Sequence, residues 1–73
     1  MLVALREACL VDESMAWLWT LYGAMLARAG RTEDARRALR HALWLRRTAG
    51  DTLRARTTQT LIDMLSSPPS MAA

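Results

Sequence analysis

Apolar residues crowd one stretch of this chain, Met15 to Gly30, MAWLWTLYGAMLARAG, where only Thr20, Arg28 and the hydroxyl of Tyr22 interrupt them. A helix that is apolar on every side has to be covered on more than one side. The pattern predicts such a helix from Met15 to Ala29, stopped at Gly30, because glycine enters the left-handed region at little cost. Upstream, Met1, Leu5, Ala8 and Cys9 recur at helical spacing and predict a helix over Met1 to Val11. Asp12, Glu13 and Ser14 break the apolar run, and Asp12 or Ser14 is placed to cap the next helix. Downstream, Thr32 reads as the N-cap of a third helix, with Glu33 and Asp34 in its first turn and Arg46 and Arg47 in its last. Ala35, Ala38, Leu39, Ala42, Leu43 and Leu45 give that helix its apolar face. Gly50 ends it, and Asp51 caps a fourth helix from Thr52 to Leu65. The fourth helix carries poor helix formers at Thr57, Thr58 and Thr60 and a narrow stripe of Leu53, Leu61, Met64 and Leu65. Residues 66–73, SSPPSMAA, read as a disordered tail. The predicted fold is all-α: about four helices in antiparallel hairpins, one domain over residues 1–65 and a tail over 66–73.

Size and composition narrow the function classes. A chain of 73 residues forms one domain at most. At that length a lone core rarely supplies more than ~3–5 kcal/mol, so a staple or a partner is expected. Cys9 is the only cysteine, which excludes an internal disulfide, and with His41 as the only histidine it falls short of a four-ligand zinc site. A partner is the remaining staple. No run reaches the ~18–20 apolar residues of a membrane span. Arg6 and Glu7 interrupt Met1 to Val11, which also lacks the basic start of a secretory signal. These features lead to the expectation of a cytoplasmic protein with no membrane contact. The sequence has no paired carboxylates, no glycine-rich phosphate loop and no metal-spaced cluster, so neither enzyme activity nor a cofactor is expected.

An internal period decides the architecture. Residues 1–15 laid on residues 35–49, an offset of 34, match Ala4 with Ala38, Leu5 with Leu39, Arg6 with Arg40 and Ala8 with Ala42. Cys9 falls on Leu43 and Val11 on Leu45. Trp19, Tyr22, Gly23 and Leu26 lie on the second helix, and Ala35, Leu39 and Ala42 on the third, with Gly30 between them. In period and in these residues the chain resembles the tetratricopeptide repeat family, whose repeat is ~34 residues long. Tyr22 stands where that family usually has leucine, Leu26 and Leu39 where it has aromatics, and Arg47 where it has the terminal proline. Gly50-Asp51 matches the variant with a longer second helix. The resemblance implies one complete repeat over about Met15 to Arg47, flanked by half-repeats, with Trp19, Tyr22, Gly23, Leu26, Ala35, Leu39 and Ala42 packing the hairpin.

The same resemblance implies a concave groove facing Trp17, Thr20, Ala24, Ala27 and Arg28, a single helical stripe of one aromatic, small floors and one cation. It would suit an apolar or amphipathic segment, with Arg28 open to a carboxylate. Some members of the family hold a C-terminal carboxylate here with lysine and asparagine. Thr20 and Ala24 do not supply those groups, so no such clamp is expected. For Trp17 the alternative is plain packing against a neighbouring helix. Trp44, at the repeat position of Leu10, is either a second contact surface or tucked beneath the fourth helix. Arg36, Arg40 and Arg47 fall on one side of the third helix and read as a solvated face more than a phosphate-binding one, with Glu33 placed to pair with Arg37. Nucleic acid is thus not the expected partner. His41 is expected on the exposed side beside Arg37 and Arg40, and Cys9 as a small buried apolar residue.

The expected function is a tetratricopeptide-like adaptor or scaffold binding a protein or peptide. The chain would be a homo-oligomer or a subunit of a larger helical assembly, since its first helix lacks a preceding partner. Two alternatives stand beside it: a small chaperone shielding an aggregation-prone helical subunit, as in a secretion apparatus, and a structural homo-oligomer that fills its own groove.

Overall fold

Four helices follow one another in the computed structural model, which describes residues 1–66. They are α1 (Leu2–Val11), α2 (Ala16–Arg28), α3 (Thr32–Thr48) and α4 (Thr52–Ser66), and there is no strand among the described residues. Ser66 closes α4 instead of opening the tail; the rest of the predicted tail, residues 67–73, lies outside the described residues. Each helix packs on the one before it, and the array is a slab only 12 Å thick across its Cα atoms.

The two reversals at α2–α3 and α3–α4 are built alike. Gly30 and Gly50 take φ of 81° and 75°, the left-handed region. At the first, the Arg31 N–H donates to the Leu26 carbonyl at 2.9 Å and the Gly30 N–H to Ala27 at 3.0 Å. At the second, Asp51 donates to Arg46 at 2.8 Å and Gly50 to Arg47 at 3.1 Å. Both are the paired six-to-one and five-to-two bonds that satisfy the last carbonyls of a helix.

The N-termini depart from expectation at two of three places. Thr32 is already inside α3 and Arg31 holds the cap position, while Met15 holds that of α2; neither end has a side-chain cap bond. The Asp12 carboxylate turns back into its own loop, accepting from the Ser14 N–H at 3.0 Å and the Ser14 hydroxyl at 2.6 Å. Asp51 does cap α4: it accepts from the Arg54 N–H at 3.2 Å and from the Arg54 guanidinium at 3.1 Å. Those bonds hold its carboxyl below the usual value.

The seam between α2 and α3 sets the spacing of the molecule. A methyl group at Gly23 would lie 2.8 and 2.9 Å from Leu39 Cγ and Cδ2 and 3.3 Å from the Ala35 carbonyl oxygen. Leu26, Ala35, Ala38, Leu39 and Ala42 are all buried along this seam, and Trp19 and Tyr22 are half-buried at its edge. Leu39 and Leu43 continue the core to the far side of α3, against Ala55 and Ile62. The apolar face of α4 is therefore Ala55, Thr58 and Ile62, with Leu61 and Leu65 at its margin. Leu53 and Met64, placed in the predicted stripe, are 74% and 68% exposed.

Thr58 is fully buried yet has a complete set of partners. Its hydroxyl donates to the Arg54 carbonyl at 2.8 Å and accepts from Arg46 Nη1 at 3.0 Å. At the other end of the α3–α4 pair, Arg36 Nη1 donates to the Leu65 carbonyl at 3.1 Å while its other nitrogen pairs with Glu33. A guanidinium on the last carbonyls of α4 suits the negative end of that helix.

Two outcomes test these assignments. Gly23→Ala is expected to lower stability by about 1–3 kcal/mol in urea unfolding, because overpacking outweighs the gain in helix propensity. Asp51, whose folded pKa is depressed, stabilises the fold above its unfolded value near 4 and loses that effect as pH falls through the folded value. The stability gap between the native chain and Asp51→Asn should accordingly close on acidification from pH 5 to pH 2.

Candidate interaction surfaces

Alternating antiparallel helices leave furrows between the helices that run parallel, α2 with α4 and α1 with α3. The residues lining each furrow decide what it can hold.

The α2–α4 furrow is floored by α3. At one end Ala24 and Ala27 face Leu61, Met64 and Leu65 across Leu39, forming a pocket of about 200 Å³ with no charged side chain. At the other end Trp17 stands beside Leu45, Arg46 and Arg54. Trp17 is 57% exposed, so it is not the core residue that plain packing would make it. Thr20 lies half-buried between the two ends and donates its hydroxyl to the Ala16 carbonyl at 2.9 Å, which removes it as a free donor. Arg28 is exposed and has no ion pair among the described residues. The structure thus brings Ala24 and Ala27 into one pocket, sets Trp17 at the far end and leaves Arg28 outside both. The contribution of Leu61, Met64 and Leu65 depends on how α4 crosses α3. The only sequence signal for it was the apolar stripe on α4.

The α1–α3 furrow lies on the opposite flank of α2. Its floor is Trp19, Tyr22 and Leu26; Leu2, Val3 and Arg6 of α1 form one wall, and Asp34, Arg37, Ala38 and His41 of α3 the other, with Arg31 at one end. His41 is not on the solvated side of α3. It is half-buried, its ring centroid 4.3 Å from that of Trp19, and its Nε2 lies 2.9 Å from the Glu13 carbonyl oxygen. A carbonyl only accepts, so Nε2 carries the hydrogen. The Trp19 indole N–H donates to the same oxygen at 3.1 Å. One carbonyl in the α1–α2 connection therefore ties the end of α1 to both α2 and α3. Nothing in a residue pattern marks a backbone carbonyl for this role.

Trp44 is 60% exposed, which rules out burial under α4; it lies over His41 with ring centroids 6.2 Å apart. Leu10, its counterpart in the period, is 53% exposed. The arginines of α3 do not form a free stripe. Arg36 and Arg46 bond across to α4, Arg47 Nη2 donates to Gln59 at 3.3 Å, and Arg40 alone of the predicted trio has no such tie. Glu33 pairs with Arg36, not with Arg37, and Arg37 lies 3.7 Å from Asp34. Cys9 is fully buried, and burial pushes its thiol pKa up, away from a reactive thiolate.

Among the described residues, no helix is long and apolar enough to cross a membrane. No family model, curated protein or solved structure matches the chain.

Removing the imidazole from the shared carbonyl should loosen this face. His41→Ala is expected to cost about 1–2 kcal/mol in urea unfolding, from a lost hydrogen bond and lost ring contact. Trp19 emission should shift to the red in a variant whose other two tryptophans are phenylalanine.

Proposed function

We propose that the chain is a protein-binding helical module of the tetratricopeptide type, and that it holds an apolar or amphipathic segment of a partner in the α2–α4 furrow. The observation that carries this reading is the pocket of Ala24, Ala27, Leu39, Leu61, Met64 and Leu65, an uncharged recess on an otherwise arginine-rich chain. Two small residues on α2 leave room there, while three larger ones on α4 offer contact. Burying apolar side chains of a partner would contribute roughly 25 cal/mol per Å² removed from water. Trp17, at the open end, is the residue type that most often anchors such contacts. Arg28, exposed and without an ion pair among the described residues, would add long-range attraction for a partner that carries acid beside its apolar face.

The 34-residue period and the close approach at Gly23 support the family reading. The module would act by covering a surface, with no chemistry of its own, as an adaptor or scaffold.

Ala27→Arg puts a guanidinium into the recess at little cost in helix propensity. It should preserve helicity by circular dichroism and reduce recovery of co-purifying protein from the source cells at least about tenfold. Undiminished recovery with a folded variant would overturn the proposal. Trp17→Ala should weaken the same recovery while leaving the sedimentation of the purified chain unchanged.

A further inference from the structure

We propose that the α1–α3 furrow is a second docking site and that its occupant is an acidic peptide segment with an apolar face. This rests on different residues from the reading above and stands or falls separately.

Charge is the first observation. Three guanidinium groups, Arg6, Arg31 and Arg37, line the furrow with one carboxylate, Asp34. Asp34 is shared, 2.7 Å from Arg31 and 3.7 Å from Arg37. One anion between two cations leaves a positive charge over, and Arg6 adds another, since it has no ion pair or hydrogen bond among the described residues. The second observation is a further free donor: the Tyr22 hydroxyl, on the floor, makes no hydrogen bond among the described residues. Both donors are open to water and so available to a ligand, and a carboxylate would accept from them while neutralising the excess charge.

The floor selects among anions. Leu2, Val3 and the body of Trp19 are the apolar lining open to a ligand, which favours one that brings apolar surface with its charge and disfavours a bare phosphate. Nucleic acid fits poorly because single strands are gripped by stacking bases on open aromatic faces. Here the Trp19 ring is engaged by His41 at 4.3 Å and by Tyr22 at 6.2 Å, edge to face. An acidic peptide needs no free ring face. It can lay leucine-type side chains along the floor and direct a carboxylate to Arg6.

Trp19 makes the furrow readable. In a Trp17→Phe/Trp44→Phe chain it is the sole indole, and both replaced rings are solvent-exposed. Titration with a short end-capped peptide of leucine and glutamate should give a saturable change in Trp19 emission that weakens as salt is raised. Arg6→Gln should weaken the peptide at least about tenfold, as expected for the loss of a charge-assisted bond. Arg40→Gln, which removes the same charge outside the furrow, should leave affinity within about twofold. Tyr22→Phe, which keeps the ring, gives a second variant that should weaken binding should Arg6→Gln fail to fold. Ala27→Arg should have no effect, because it lies in the other furrow; loss of binding in that variant would assign the peptide to the α2–α4 furrow and overturn the proposal. So would no saturable change, equal binding of the leucine–lysine counterpart, equal effects of Arg6→Gln and Arg40→Gln, or tighter binding of oligothymidylate than of the acidic peptide.

Discussion

Absence of a side chain at Gly23 lets α2 lie against α3 closely enough for Leu39 to occupy the space where a methyl group would be. That contact fixes the rest. It buries Leu26, Ala35, Ala38 and Ala42 without any large residue having to bend away, and it gives α3 two usable faces. With α2 close on one side, Leu39 and Leu43 are free to meet Ala55 and Ile62 on the other. A thicker seam would push α2 outward, and α2 and α4 could then no longer share a floor.

The two furrows follow from that geometry but differ in character because of local residue choice. On the α4 flank, α2 presents Ala24 and Ala27, and α4 answers with leucines and a methionine. On the α1 flank, α2 presents Trp19, Tyr22 and Leu26, and the walls carry arginine. One helix, apolar nearly all round, thus serves two surfaces of opposite character. The dense apolar stretch from Met15 to Gly30 has its explanation here: α2 has a neighbour or a furrow on most of its circumference.

Much of this was legible in the chain. Glycines at 30 and 50 marked both reversals, and the seven residues that the resemblance implied would pack the hairpin are each buried or half-buried. What was not legible depended on crossing geometry or on backbone atoms. Thr58 looked like a weak helix former, yet it is a fully buried strut whose hydroxyl joins Arg54 to Arg46. Helical spacing alone put Leu53 and Met64 on the inside of α4, whereas the approach of α3 rotated that face to Ala55, Thr58 and Ile62. His41 was misplaced for a related reason: its partner is the Glu13 carbonyl, 28 residues away, and side-chain patterning carries no information about main-chain acceptors.

A slab in which every helix touches mainly its neighbours in sequence has a consequence for how it comes into being. Contacts between near neighbours in sequence close short loops, so the entropy lost before each contact is small and folding is fast. The hairpin around Gly30 draws only on α2 and α3, from Ala16 to Thr48, and needs no residue of α4 to close. α4 adds to a face that α3 already presents, so the array can extend one helix at a time without any distant segment having to close over it.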